Sequence, residues 1–159
     1  MEGTVKQVRE AVENYFETDD LKYDPFDEDD VARTGFAVKT KFGHVDVLFH
    51  AYDSHLIIHT IIPIKAQEED RAKVGEFLLR ANYGLRNGCF DFDYDTGRIS
   101  YRTALFCGID DFTPPTYEQI DYSMLISLSM VKKYGNALMK VIFGLVEPED
   151  AIEEVEDND

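Results

Sequence analysis

From Thr34 to Ile64 the apolar residues recur at every second position, the period of a strand with one buried face. The turn residues Gly43 and Asp53-Ser54 divide this stretch into three strands, so it reads as a β-meander. With Lys41 opposite His44 and Tyr52 opposite His55, one face collects Phe36, Val38, Val45, Val47, Phe49, Ala51, Leu56, Ile58 and Ile62. That face is the core side. The other carries Lys39 opposite Asp46, Ala37 opposite Leu48, and the mixed set His50, Tyr52, His55, Ile57, His59 and Ile61. It is too apolar for a purely solvated surface.

The alternation returns from Cys89 to Phe106, where Asp91, Asp93 and Asp95 interleave with Phe90, Phe92 and Tyr94. The acids invite comparison with a calcium-binding loop, and the comparison fails at two decisive positions. The sixth position needs Gly and holds Thr96; the twelfth needs a bidentate Glu and holds Arg102. A hairpin turning at Thr96-Gly97 accounts for the same residues. It pairs Tyr94 with Ile99, Phe92 with Tyr101 and Phe90 with Thr103 on an apolar face, and Asp91 with Arg102 and Asp95 with Arg98 on a charged one. In that register Cys89 lies opposite Ala104, about 10 Å from Cys107 at roughly 3.3 Å per residue, too far for a disulfide.

Helical spacing marks the remaining segments. Val5, Val8, Val12, Tyr15 and Phe16 predict a helix over 4–18. Glu68, Glu69 and Asp70 suit the N-terminus of a second, with Val74, Phe77, Leu78, Ala81 and Leu85 as its apolar stripe. After Pro114-Pro115 a long helical region runs from Tyr117 to Phe143, with a break expected at Tyr134-Gly135-Asn136. Residues 19–30, rich in acids, read as a solvated connection anchored by Leu21, Tyr23 and Phe26. Pro148 opens a short last helix. The expected fold is α+β, an antiparallel five-stranded sheet in the order α-βββ-α-ββ-α, with one domain over 1–152 and an acidic, disordered tail over 153–159.

Charge excludes some partners. With 32 acids against 16 bases, the net charge of −16 repels phosphate backbones and anionic membrane surfaces, and no basic cluster offsets it. Neither nucleic acid nor membrane is expected as a partner. The apolar runs are too short to span a bilayer, and residues 1–17 lack the pattern of a secretory signal. Together with reduced thiols, this predicts a cytoplasmic protein.

The four histidines are the natural place to look for chemistry. His50 and His59 fall as diagonal neighbours on the mixed sheet face with Asp46 nearby, which could be half of a site for a metal-assisted hydrolase or a small-molecule-binding enzyme. No third ligand completes it. Phosphate-binding glycine loops, a nucleophile elbow and Cys-x-x-Cys are all missing from the sequence. The expectation is a chain without catalytic, cofactor-binding or metal-binding residues. Its candidate binding or dimer surface comprises Leu48, His50, Tyr52, Ile57, His59 and Ile61 on the sheet, with Ile120, Met124 and Leu128 on a long helix apolar on more than one side.

Several stretches carry a family resemblance: Asn82-Tyr83-Gly84-Leu85, Gly88-Cys89-Phe90-Asp91-Phe92-Asp93, Asp95-Thr96-Gly97-Arg98 and Tyr101-Arg102-Thr103. The later run Tyr134-Gly135-Asn136-Ala137-Leu138 through Val141-Ile142-Phe143-Gly144, then Pro148-Glu149-Asp150-Ala151, extends it. With the element order, these residues resemble the YbjN family, labelled a sensory transduction regulator. The resemblance implies a fold like class I type III secretion chaperones, small acidic homodimers that hold extended client segments. On that basis the chain is expected to bind a protein segment as a homodimer, with the second or the long last helix near the interface, and to act without catalysis.

Overall fold

The computed structural model describes residues 2–157. Its elements are α1 (Glu2–Thr18), β1 (Tyr23–Asp24), β2 (Val31–Ala37), β3 (His44–Ala51), β4 (His55–Ile61), α2 (Arg71–Asn82), β5 (Cys89–Phe92), β6 (Ile99–Phe106), α3 (Tyr117–Ile142) and α4 (Pro148–Glu156). Both alternating stretches form antiparallel strands, and they join edge to edge in one sheet of order β1-β2-β3-β4-β6-β5. The sheet has six strands, not five. The added strand, β1, is a residue pair within the acidic connection; Tyr23 stands opposite Thr34 while its ring stacks on Phe16 at 4.5 Å. Two residues are too few to show a period.

The β3–β4 register is the expected one, with Tyr52 N–H donating to His55 O at 2.8 Å. The β2–β3 register is displaced: Ala37, not Lys41, stands opposite His44. The loop between them is held elsewhere, because Asn136 Oδ1 accepts the Lys41 amide at 3.0 Å and Gly135 makes room for Phe42. A Cβ on Gly135 would lie 2.9 Å from the Phe42 ring. The tripeptide Tyr134-Gly135-Asn136 is therefore a seat for this loop, and α3 runs through it unbroken. One glycine costs a helix only about 1 kcal/mol, which the packing offsets.

The second hairpin is displaced too. Tyr101, not Thr103, stands opposite Phe90, and Arg102, not Ala104, opposite Cys89. The turn is wider than Thr96-Gly97: Asp93 N–H donates to Arg98 O at 2.9 Å, Gly97 N–H donates to Asp93 O at 2.7 Å, and Gly97 takes φ 79°. Tyr94 thus leaves the apolar face and is 57% exposed. Asp91 and Arg102 still pair, at 2.9 Å, but diagonally across the strands. Cys89 and Cys107 are both free thiols. Both displacements are by an even number of residues, so the side chains that remain paired in the strands keep their predicted faces, and Tyr94 loses its place because it falls in the turn.

One face of the sheet is sealed by helices. Phe16 of α1 meets Phe49 edge-on at 4.9 Å, Val74, Phe77, Leu78 and Ala81 bury the α2 stripe, and Phe90 sits between Tyr101 and Tyr134. Helix α3 starts at a capping box, with Thr116 Oγ1 accepting from Gln119 N–H and Gln119 Oε1 accepting from Thr116 N–H. Helix α4 continues to Glu156, so residues 153–156 are helical rather than disordered tail; residues 158–159 lie outside the described residues.

Candidate functional site

Among the described residues no helix covers the opposite face of the sheet. Across it the register sets Arg33, Leu48, His59, Arg102 and Cys89 in one row. Val31, His50, Ile57 and Ala104 form the row on one side, and Gly35, Asp46, Ile61, Ser100 and Asp91 the row on the other. Leu48, His50, Ile57, His59 and Ile61 are all half-buried, and Tyr52 is 39% exposed. These candidates do come together on one surface.

The helical candidates do not join them. Ile120 and Met124 are buried in the core of the single chain, and Leu128 packs against that core. Ile120 and Met124 are therefore not available on the surface of the single chain, while Leu128 is half-buried. The exposed side of α3 instead presents Tyr122 and Leu125, 52% and 59% exposed.

A shallow concavity of about 460 Å³ opens on the uncovered face, lined by Leu48, His50, His59, Asp91, Arg98 and Ser100. Burial holds the His59 imidazole below its ordinary pKa; Asp91 opposes that shift, while Arg102, Arg98 and His50 add to it. His59 is thus neutral near pH 7. His50 Nδ1 is engaged by Tyr52 Oη at 2.9 Å under a ring contact at 4.0 Å. His55 is occupied by Ser54 Oγ at 2.8 Å.

The carboxylates that line the concavity are Asp91 and Asp93, not Asp46. Asp46 lines a separate hollow of about 420 Å³ with Lys22 and Arg33. Among the described residues no group of three or more His, Cys, Asp or Glu is placed to hold a metal ion. The hydrolase arrangement of His50, His59 and Asp46 is therefore not assembled. Sequence reading missed Asp91, Arg98 and Arg102 as site residues because they reach this face through the β4–β6 pairing. Their hairpin is far away in sequence, and only its charged face hinted at them.

The family model for YbjN, described as "Putative bacterial sensory transduction regulator", matches residues 9–140. The chain belongs to the YbjN family. The match takes in every strand, so the uncovered face lies wholly within the YbjN region. A solved structure, "Crystal structure of YbjN, a putative transcription regulator from E. coli", aligns with a TM-score of 0.55 at 10% identity. The alignment covers 78% of this chain and 85% of that one. At that identity the likeness carries the fold alone. No curated protein sequence matches the chain. Among the described residues no helix is long and apolar enough to cross a membrane.

Proposed function

We propose that the chain is a non-enzymatic, chaperone-like regulatory module that acts as a homodimer and holds an extended protein segment against the uncovered face of its sheet. The observation that carries this reading is the incomplete burial of Leu48, Ile57 and Ile61 on a face that no helix among the described residues covers. Such a strip rewards insertion of apolar side chains, and the neighbouring His50, Tyr52 and His59 add polar partners that fix orientation. Strand addition is disfavoured at Phe90 and Val31 on the margins of the sheet, because neighbouring residues already engage their outward backbone groups. Asn82 Nδ2 donates to Phe90 O at 3.0 Å and its Oδ1 accepts from Phe90 N–H at 2.7 Å on β5; on β2, beyond the short β1, Asp27 Oδ1 accepts from Val31 N–H and the Asp27 backbone N–H donates to Val31 O, each at 3.1 Å.

Photo-crosslinking side chains placed at Leu48 and Ile57 should trap a client protein, whereas one at Leu79, exposed on α2, should not. The solution mass should be about twice 18.3 kDa. Trapping that is absent, or equal at all three positions, sinks the client site. A monomer mass sinks the homodimer.

A further inference from the structure

Strand β6 is longer than its outer neighbour β5, and the extra length leaves a lane empty. Pairing with β5 ends at Cys89 opposite Arg102, while β6 continues to Phe106 against β4. In an antiparallel ladder successive residues turn their backbone groups to opposite sides. Ile62 N–H donates to Ile99 O on the β4 side, and Asp93 N–H donates to Arg98 O on the β5 side. Odd-numbered residues of β6 therefore face β4, and Ala104 and Phe106 aim their N–H and C=O groups into the lane that β5 has left. Both residues are exposed, Phe106 by 65%.

The chain leaves this lane for a visible reason. Gly88, at φ 78°, lies so close to β6 that a Cβ would stand 2.6 Å from Arg102 O. Asn87 then drops toward the helices, where its carbonyl accepts from Tyr101 Oη at 2.6 Å and its Nδ2 donates to Tyr122 Oη at 3.0 Å. A cavity of about 80 Å³ remains beneath the vacated lane, lined by Thr103, Leu105, Tyr122 and Ile126. Thr103 is buried, and its Oγ1 has no hydrogen-bond partner. Tyr122 also borders a hollow lined by Glu118, Asp121 and Leu125. Asp110 and Asp111 follow the end of the strand.

We propose that the edge of β6 at Ala104–Phe106 seats a short, extended, basic segment of a partner protein, which adds a strand in the lane vacated by β5. The unpaired backbone groups supply the ladder, the Leu105–Tyr122–Ile126 hollow takes an apolar side chain, and the acids around it select a cationic segment. A second copy of this chain is a poor occupant. Its own β6 is already paired to β5 as far as Arg102, and Gly88 lies against the Arg102 carbonyl at the end of that pairing. The segment must end or bend at Gly88. The seat is separate from the concavity around His59.

The probe is a fluorescent peptide, acetyl-Lys-Val-Lys-Val-Lys-amide, titrated by anisotropy into the full chain at 0.15 M salt, with amide hydrogen exchange on the same samples. Free protein should exchange the Ala104 and Phe106 amides quickly and the Thr103 and Leu105 amides slowly; the peptide should slow the first pair. N-methylating the peptide's central backbone keeps its charge and should weaken binding about tenfold, the worth of a lost hydrogen bond or two. Ala104→Pro removes a donor that the sheet does not use and should do the same, whereas Leu48→Glu should leave this binding unchanged while it abolishes client trapping on the face. Equal binding of the methylated peptide, or no protection at Ala104 and Phe106, would reduce the effect to charge attraction and overturn the proposal. Protection that grows with protein concentration alone would replace the peptide with a second copy.

Discussion

Strand β3 holds the two sides of this molecule in adjacent residues. Phe49 is fully buried under α1, while Leu48 and His50 beside it stay half-exposed on the uncovered face. The same backbone and hydrogen bonds support both, so their difference lies in what packs on them. The covered face is closed by aromatic contacts such as Phe16 on Phe49 and by three helices. The uncovered face collects aliphatic residues with histidines and ion pairs, a composition that tolerates water without being indifferent to it. Folding energy is concentrated on the first face, so residues on the second are less constrained by the core.

The largest expected effect tests that division directly. Phe49→Ala should cost about 3–5 kcal/mol of unfolding free energy, from lost burial and the cavity it leaves, whereas Leu48→Ala should cost about 1 kcal/mol or less. Urea unfolding of the two variants measures both, and equal losses would mean that something covers the second face in solution. A smaller effect should follow at the end of the sheet. Asn82→Ala strips both backbone partners from Phe90 and should cost about 1–3 kcal/mol. Faster exchange of the Phe90 amide should accompany it; unchanged exchange would show that the edge is not held by this side chain.

The assignment of residues to faces was legible because a period of two survives errors of register. Ala37 rather than Lys41 meets His44, and Tyr101 rather than Thr103 meets Phe90, yet neither displacement moves a side chain across the sheet. Turn length was less legible. The Asp93–Arg98 turn is set by a backbone bond to Asp93 O and by Gly97, whose Cβ would stand 2.0 Å from Ala66 O, a contact distant in sequence. The same holds for Gly135, which looks like a helix breaker until the β2–β3 loop is placed against it. The candidate surface was half legible. Sheet residues were found by parity, but Ile120 and Met124 looked available because nothing local says which side of an apolar helix meets the core. Asp91 could be placed beside His59 only once β6 was known to lie next to β4.

The subtlest difference between the faces is electrostatic, and His59 exposes it. Its folded pKa lies below the ordinary histidine value, chiefly through burial, with Arg102, Arg98 and His50 pushing the same way and Asp91 pushing back. The sign follows from linkage. Above pH 6.5 both folded and unfolded chains keep this imidazole neutral, so the depressed pKa has no effect there. As the pH falls below that value the unfolded chain takes up the proton first, so stability is lost progressively until the pH has dropped through the folded pKa of His59. His59→Gln removes this one contribution and leaves the other three histidines in place. Denaturant midpoints for the wild type should therefore fall more steeply between pH 6.5 and 5 than those of H59Q. Asp91→Asn should steepen the fall further, because the carboxylate is the group that favours the imidazolium. Parallel curves for all three proteins would mean that water reaches His59 as freely as it reaches an unfolded chain, and the uncovered face would then lack the partial burial that distinguishes it from ordinary surface.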